Sequence, residues 1–257
     1  MPTIDLNSDL GEGYGSYVTG DDLGLLDIVS SANVACGFHG GDAQIMADVV
    51  AAARDRGVSV GAHPGYQDLW GFGRRDIPHS AKEIEHLVAY QIGALTAIAS
   101  LVGYSVNYVK PHGALGNLAD GEATVADAVA RAIKGVDPAL GLLATALGEL
   151  VPAGDRHGLR VYHEVFADRL YADNGLLLPR SVPGAVVTDA DTAAQRSLAM
   201  LDAGAITTVG GRKLLTPIDT ICVHGDTPHA LAIARSLKAA LLDNGFEITP
   251  FARRQQG

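Results

Sequence analysis

The sequence is short of the residues that would place it in several common classes. Its 257 residues include two cysteines, Cys36 and Cys222, too few for a disulfide scaffold and too far apart for a paired metal motif. Each is expected to be a small buried apolar side chain in a reduced, cytoplasmic protein. No stretch reaches about 18 uninterrupted apolar residues, so no transmembrane helix is predicted. The acidic, alternating N-terminus lacks the basic-then-apolar order of a signal peptide. Positive charge is scarce too. Nineteen basic residues against 29 acidic ones give a formal net charge of -10, which argues against a nucleic-acid or anionic-membrane partner, since either needs a basic face. There is no Walker A pattern and no serine in a nucleophile elbow. Gly37 to Gly41 follows a strand, but His39 within it makes a poor dinucleotide fingerprint.

What is present is an α/β pattern. With 47% hydrophobic and 19% charged residues the chain can bury a large core, and its length suits a single domain spanning 1–257. Ile4, Leu6 and Leu10 alternate with Asp5, Asn7 and Asp9, the period of a strand. Further strands are expected at 32–36, 58–62, 106–109, 140–144, 159–165 and 220–223. Helices are expected between them at 23–30, from an Asp42 cap to Gly57, from a Ser80/Glu83 capping box to Gly103, at 124–134, at 193–201, and from Thr227-Pro228 to Gly245. The segment from Tyr171 to Val186 is expected to be a loop over a site, and the tail from Ala252 to Gly257 to be frayed. Strand–helix alternation of this kind predicts a parallel sheet with right-handed crossovers, either closed into a barrel or open and doubly wound.

Six of the seven expected strands end in ionisable residues beside glycine or proline. They are Asp9 with Glu12, His39 with Asp42, His63, Lys110 with His112, Glu164 with Asp168 and Arg169, and His224 with Asp226. In parallel α/β folds the carboxyl ends of all strands face one side, so these groups converge in one mouth. A lone histidine after a strand is more often structural than a ligand, but four at separate mouths point to an active site. Carboxylates and histidines can hold a divalent metal that activates water, or act as base and acid without one. Lys110 and Arg169 can bind a carboxylate or stabilise an oxyanion or phosphoryl group. The residues themselves reach a hydrolase or lyase acting on a small polar substrate.

Four segments then carry a resemblance. They are Asp5-Leu6-Asn7-Ser8-Asp9-Leu10-Gly11-Glu12, Ala35-Cys36-Gly37-Phe38-His39-Gly40-Gly41-Asp42, Gly61-Ala62-His63-Pro64-Gly65-Tyr66 and Lys110-Pro111-His112-Gly113-Ala114-Leu115. The chain resembles the LamB/YcsF family from about residue 3 to residue 250, and Glu164 to Arg169, Pro179-Arg180-Ser181 and Cys222 to Asp226 fit the same pattern. It departs at Gly116, where the family pattern favours tyrosine before Asn117. The resemblance implies a distorted TIM-like barrel of seven βα units, similar to glycoside hydrolases and polysaccharide deacetylases. It also implies cleavage of 5-oxo-L-proline to L-glutamate coupled to ATP hydrolysis, with Mg2+ accompanying ATP, in a complex with 5-oxoprolinase subunits B and C. A homo-oligomer is compatible with it.

On this reading Asp9, Glu12, His39, His63 and His112 activate water, with Asp9, His39 and His63 as candidate metal ligands. Asn7, Lys110, Glu164, Arg169, His224 and Asp226 bind substrate. With no nucleotide loop in the chain, ATP is expected on a partner or across an interface. Two rivals are a metal-dependent deacetylase of N-acetylated sugars and a non-catalytic subunit that delivers oxoproline.

Overall fold

The computed structural model describes residues 1–253. The first half of the chain contains β1 (Thr3–Leu10), α1 (Asp22–Leu26), β2 (Ser31–Ala35), α2 (Ala43–Arg56), β3 (Ser59–His63), α3 (Ala81–Leu101), β4 (Val106–Val109), α4 (Gly113–Gly121) and α5 (Ala123–Val136). The second half contains β5 (Gly141–Thr145), α6 (Leu150–Arg156), β6 (Arg160–Phe166), α7 (Ala190–Ala203), β7 (Ala205–Thr207), β8 (Lys213–Leu215), β9 (Thr220–Val223), α8 (Ala230–Asp243) and β10 (Glu247–Ile248). Strands β1 to β6 pair in sequence order, all parallel, and β9 bonds to both β6 and β1, closing a seven-stranded barrel. The sheet is therefore closed rather than open and doubly wound, and the seven strands expected from the sequence are the seven staves. At the other end of β1, Thr3 and Ile4 pair with β10, so one side of the first strand carries β10 and then β2.

The alternation in β1 now has a physical assignment. Ile4, Leu6 and Leu10 point outward into the large apolar layer between barrel and helices, while Asp5, Asn7 and Asp9 point inward and are buried. A second, smaller apolar cluster plugs the bottom of the barrel. It comprises Tyr108, Leu143, Tyr162, Phe251 and Ala252, with the Phe251 ring 4.7 Å from Tyr108 and 4.3 Å from Tyr162. Gly61 makes room for it, because a Cβ there would run into the Tyr108 ring. The expected frayed tail is thus corrected at its start. Phe251 and Ala252 are buried, since the barrel needs an apolar floor and supplies it from the C-terminus; residues 254–257 lie outside the described residues.

Above the plug, Asp5 accepts hydrogen bonds from Ser30 (2.8 Å), Ser31 (2.6 Å) and Thr220, a structural role at that depth. Those serine bonds also explain why α1 stops at Leu26 instead of running to Ser30, because Ser30 and Ser31 are drawn into the barrel wall. The Asp42 cap of α2 and the Ser80–Glu83 capping box of α3 are as expected. α8 starts later, at Ala230 rather than at Thr227-Pro228, because residues 227–230 form a turn in which the Ala230 N–H donates to the Thr227 carbonyl, and Asp226 ahead of it is held by Arg74 at 2.8 Å. The sequence pattern did not reveal α4, whose nine residues include three glycines, the short α6, or the three-residue strands of the β7–β8 hairpin. By length and composition α3 could cross a membrane, yet it lays Ile84, Leu87, Val88, Ile92 and Leu95 into the layer around the barrel.

Candidate active site

The carboxyl ends of the staves surround a cavity of about 580 Å3. At its base Lys110, the residue after β4, reaches across the barrel. Its ammonium lies 3.0 Å from Asp9 Oδ1, 2.9 Å from Glu164 Oε1 and 3.2 Å from Cys222 Sγ. An ammonium has three N–H groups, so all of its donors are engaged. Burial alone would release the Lys110 proton, but Asp9 and Glu164 more than offset it and hold the pKa well above the usual lysine value. Burial, together with the nearby Asp9 charge, raises Glu164. Asn33 donates to Asp9 (2.8 Å) and to Asn7 (2.7 Å), and Asn7 in turn donates to Glu164 (3.0 Å) and Thr220 (2.8 Å). The polar centre is therefore a connected network, as a buried polar layer must be if it is not to destabilise the fold.

Beside it stand three imidazoles and Glu12. His63 Nδ1 is 2.7 Å from the Lys110 carbonyl, and His112 Nε2 is 2.8 Å from the Phe72 carbonyl. A carbonyl can only accept, so these contacts fix both protons and turn the remaining lone pairs, His63 Nε2 and His112 Nδ1, toward each other at 3.0 Å. Glu12 Oε1 is 3.2 Å from the same His112 nitrogen and 4.0 Å from His63 Nε2. Facing lone pairs beside a carboxylate repel unless a positive charge lies among them. A proton on His112 would serve, but burial lowers the pKa of that ring. His39 stacks on His112 with centroids 3.6 Å apart and planes within 2°, and its Nε2 lies 3.1 Å from Glu12. Burial and then the neighbouring His112 hold His39 down at about 3, so its ring is neutral and donates Nε2–H. Burial would raise Glu12, but a proton or cation shared with His112, and the His39 N–H, outweigh that and keep it ionised.

Gly73 allows the stack, since a Cβ there would meet His39 Cβ at 2.6 Å and His112 Cδ2 at 2.9 Å. Next to it Phe72 has φ of 54°, a left-handed value uncommon for a bulky residue and a sign of backbone held in place for its carbonyl. Glu12, His39, His63 and His112 offer ligand atoms all within 4.8 Å of one another. Three imidazoles and a carboxylate form a donor set suited to a divalent first-row metal, and a cation would relieve the facing lone pairs. The residues fit a metal on both counts.

The wall carries a different chemistry. His224 Nδ1 is 2.9 Å from both oxygens of Asp168, which leaves Nε2 as the nitrogen available to a ligand. Burial would raise Asp168, but the adjacent His224 brings it below the usual carboxylate range. Arg74, Arg169 and Arg180 also line the cavity. So does Asp120 on α4, whose burial pushes its carboxyl up to about 7 despite a hydrogen bond with Thr145.

Of the residues singled out from sequence, Asp9, His63, Lys110, His112, Glu164, Arg169 and His224 line the cavity. Glu12 and His39 stand behind His63 and His112. Asn7 lies lower, with its amide spent on the network, and Asp226 is held by Arg74 at the rim. In the metal-compatible group Glu12 and His112 join His39 and His63. Asp9 stays just outside, with Oδ2 3.5 Å from His63 Nε2. The expected loop over the site is present, as Leu176 to Ser181 cover one side of the cavity. Sequence reasoning missed Asp120, Arg74 and Arg180 as site residues. Arg74 stood in a conspicuous glycine- and arginine-rich loop and Arg180 in a Pro-Arg-Ser segment, but Asp120 had no local signal. Gly116 falls on the first turns of α4, where an added Cβ would come 2.8 Å from the Pro111 carbonyl, so a side chain there needs a local shift.

Known proteins agree with this architecture. The chain is 54% identical over 252 residues to a protein of Azorhizobium caulinodans named as a subunit of 5-oxoprolinase, covering 98% of this chain and all of that one. A lactam utilization protein from Thermus thermophilus superposes with a TM-score of 0.90 at 42% identity, over 96% of this chain and 99% of that one. The catalytic domain of a peptidoglycan N-acetylglucosamine deacetylase from Eubacterium rectale shares the fold alone, with a TM-score of 0.52 at 13% identity over 96% and 87% of the two chains. The LamB/YcsF model matches residues 4–256, and the chain belongs to the LamB/YcsF family.

Proposed function

We propose that this chain is the lactam-opening component of an ATP-dependent 5-oxoprolinase, converting 5-oxo-L-proline to L-glutamate in a cytoplasmic complex with subunits B and C. The observation that carries the reading is the set of buried lone pairs, His63 Nε2, His112 Nδ1 and Glu12 Oε1, converging beside a cavity. It occurs in a chain similar over nearly its full length to a protein named as a subunit of 5-oxoprolinase.

Glu12, supported by His39, is the base that takes a proton from water placed against His63 and His112, with Asp9 alongside. The oxygen adds to the lactam carbonyl carbon, the C–N bond breaks, and the nitrogen takes a proton from His224, whose ring Asp168 orients. His63 Nε2 and His112 Nδ1, with a Glu12 oxygen, would hold a divalent metal while the His39 N–H stays on Glu12, and the metal when bound would lower the pKa of water and polarise a carbonyl. Lys110 keeps a fixed positive charge under the reacting carbonyl, and Arg169 faces the anionic part of the substrate. A five-membered lactam is a stable amide that closes spontaneously. Phosphorylation of its oxygen at the expense of ATP would make it a good electrophile; C–N cleavage then leaves an acyl phosphate, which a second water splits into glutamate and phosphate, and ATP is bound largely by a partner. The test is oxoproline-dependent release of glutamate and phosphate by the chain co-expressed with its partners. His39→Ala or Lys110→Ala should abolish glutamate formation while circular dichroism stays native, and wild-type turnover in either variant would sink the assignment.

A further inference from the structure

The rim of the cavity holds more positive charge than the fold itself uses. Arg169 is 4% exposed and its Nε has no hydrogen-bond partner, although one Nη donates to the Leu178 carbonyl. Arg180 likewise has a buried Nη2 without a partner. Both side chains, with Arg74, line the cavity. Burial, then the proximity of Arg180 and Arg74, pushes Arg169 down to about 10, so three guanidiniums crowd one another. Such crowding destabilises a fold unless an anion relieves it, and buried unpaired N–H groups add to the cost. The carboxylates that act on this group are Asp168, Asp226 and, from β1, Asp9, which is paired with Lys110. Asp226 is paired with Arg74 and Asp168 with His224. No carboxylate among the described residues therefore lies at ion-pair distance from Arg169 or Arg180, and both are left to an anionic ligand.

Lys110 cannot fill that role, because its three N–H groups already face Asp9, Glu164 and Cys222. We propose that Arg169 and Arg180, with Arg74 completing the field, form the subsite for the carboxylate of a lactam carboxylic acid, and that this subsite determines specificity. The proposal rests on the lactam-opening reading and names the part of the site that selects the substrate. A planar carboxylate matches the guanidinium fork, and the subsite lies on the wall, away from the floor where the ring carbonyl must meet water.

The experiment is titration calorimetry of the assembled complex with 5-oxo-L-proline and with its primary carboxamide, which has the same ring and no charge. Wild type should bind the acid at least tenfold more tightly than the carboxamide. Arg180→Gln should weaken the acid roughly 10- to 100-fold, the loss expected when a charge-assisted hydrogen bond is removed, with carboxamide binding nearly unchanged. Arg180→Lys, which keeps the charge and loses the fork, should fall between. Equal affinity of wild type for the two ligands, equal weakening of both by Arg180→Gln, or no weakening of the acid would each overturn the subsite. If wild type binds neither lactam, the lactam-opening reading fails. Titration with inorganic phosphate then addresses the arginines separately, and phosphate binding indifferent to Arg180→Gln would overturn the anion site as well.

Discussion

Asp120→Asn should stabilise the protein at neutral and alkaline pH. Asp120 is buried against the cavity, and its carboxyl is raised from an ordinary 3.8 to about 7, first by burial and then by the Glu164 charge, with Thr145 and Lys110 acting against them. A carboxyl raised in the folded state keeps its proton there while the unfolded chain loses it. Its contribution to stability is therefore fully present below about pH 4 and is lost as pH rises through 7. At 1.36 kcal/mol for each pH unit, the interval between 3.8 and about 7 corresponds to roughly 4 kcal/mol lost at pH 8. Asparagine has nearly the same shape, can bond to Thr145 and never ionises, so it escapes that loss. Urea unfolding of both proteins at pH 4, 6 and 8 isolates the effect, since the other titrating groups cancel in the difference. The variant's advantage should grow by about 4 kcal/mol from pH 4 to pH 8, most of it between pH 5 and pH 7. A difference that does not change with pH, or a variant that loses ground at pH 8, would refute the neutral-carboxyl argument.

Two further outcomes follow from the floor and the plug of the barrel. Purified protein should retain close to one divalent first-row metal per chain by elemental analysis, His112→Gln should lose it, and chelation should lower the thermal midpoint; a metal-free preparation that is fully active after chelation would rule the metal out. Phe251→Ala should cost about 3–5 kcal/mol in urea unfolding, the usual range for emptying a buried aromatic position, because the ring closes the barrel between Tyr108 and Tyr162, and a loss below about 1 kcal/mol would mean that the plug relaxes without it.

The staves and their polar ends were legible because each is a local pattern. Alternation in β1 assigns one face to the helices and the other to the interior, and glycine or proline beside an ionisable residue marks where a stave turns out of the barrel. The capping residues Asp42 and Ser80 were visible for the same reason, since a cap is decided by neighbours within one turn. What stayed hidden depends on distance in the chain. Asp120 looks like an ordinary helical acid until β5 places Thr145 against it. Phe251 lies just before a polar tail, and only closure of the barrel gives it Tyr108 and Tyr162 as neighbours. The facing lone pairs of His63 and His112 are set by the carbonyls of Lys110 and Phe72, and no sequence spacing reports the direction of a backbone carbonyl.

On the proposed function the charge distribution would also orient a substrate. On one half of the floor Lys110 is matched by Asp9 and Glu164 and leaves little field to attract a ligand. On the other half Glu12 meets only imidazoles at ion-pair distance among the described residues. Since burial keeps His39 and His112 neutral, the negative charge there is uncompensated and favours a cation or the positive end of a dipole. At the rim the sign is opposite, because Arg169 and Arg180 have no carboxylate at ion-pair distance among the described residues. A molecule with an anionic group at one end and an electrophilic carbonyl carbon at the other is then held in one direction only. On the proposed function its anion would lie against Arg169 and Arg180 and its carbonyl over Glu12 and the histidines. Reversing it would bring a carboxylate against Glu12 in a low-dielectric interior, where like charges repel most strongly. The two buried imbalances therefore act together, and removing the one at the rim should weaken the alignment of the carbonyl as well as the affinity for the anion.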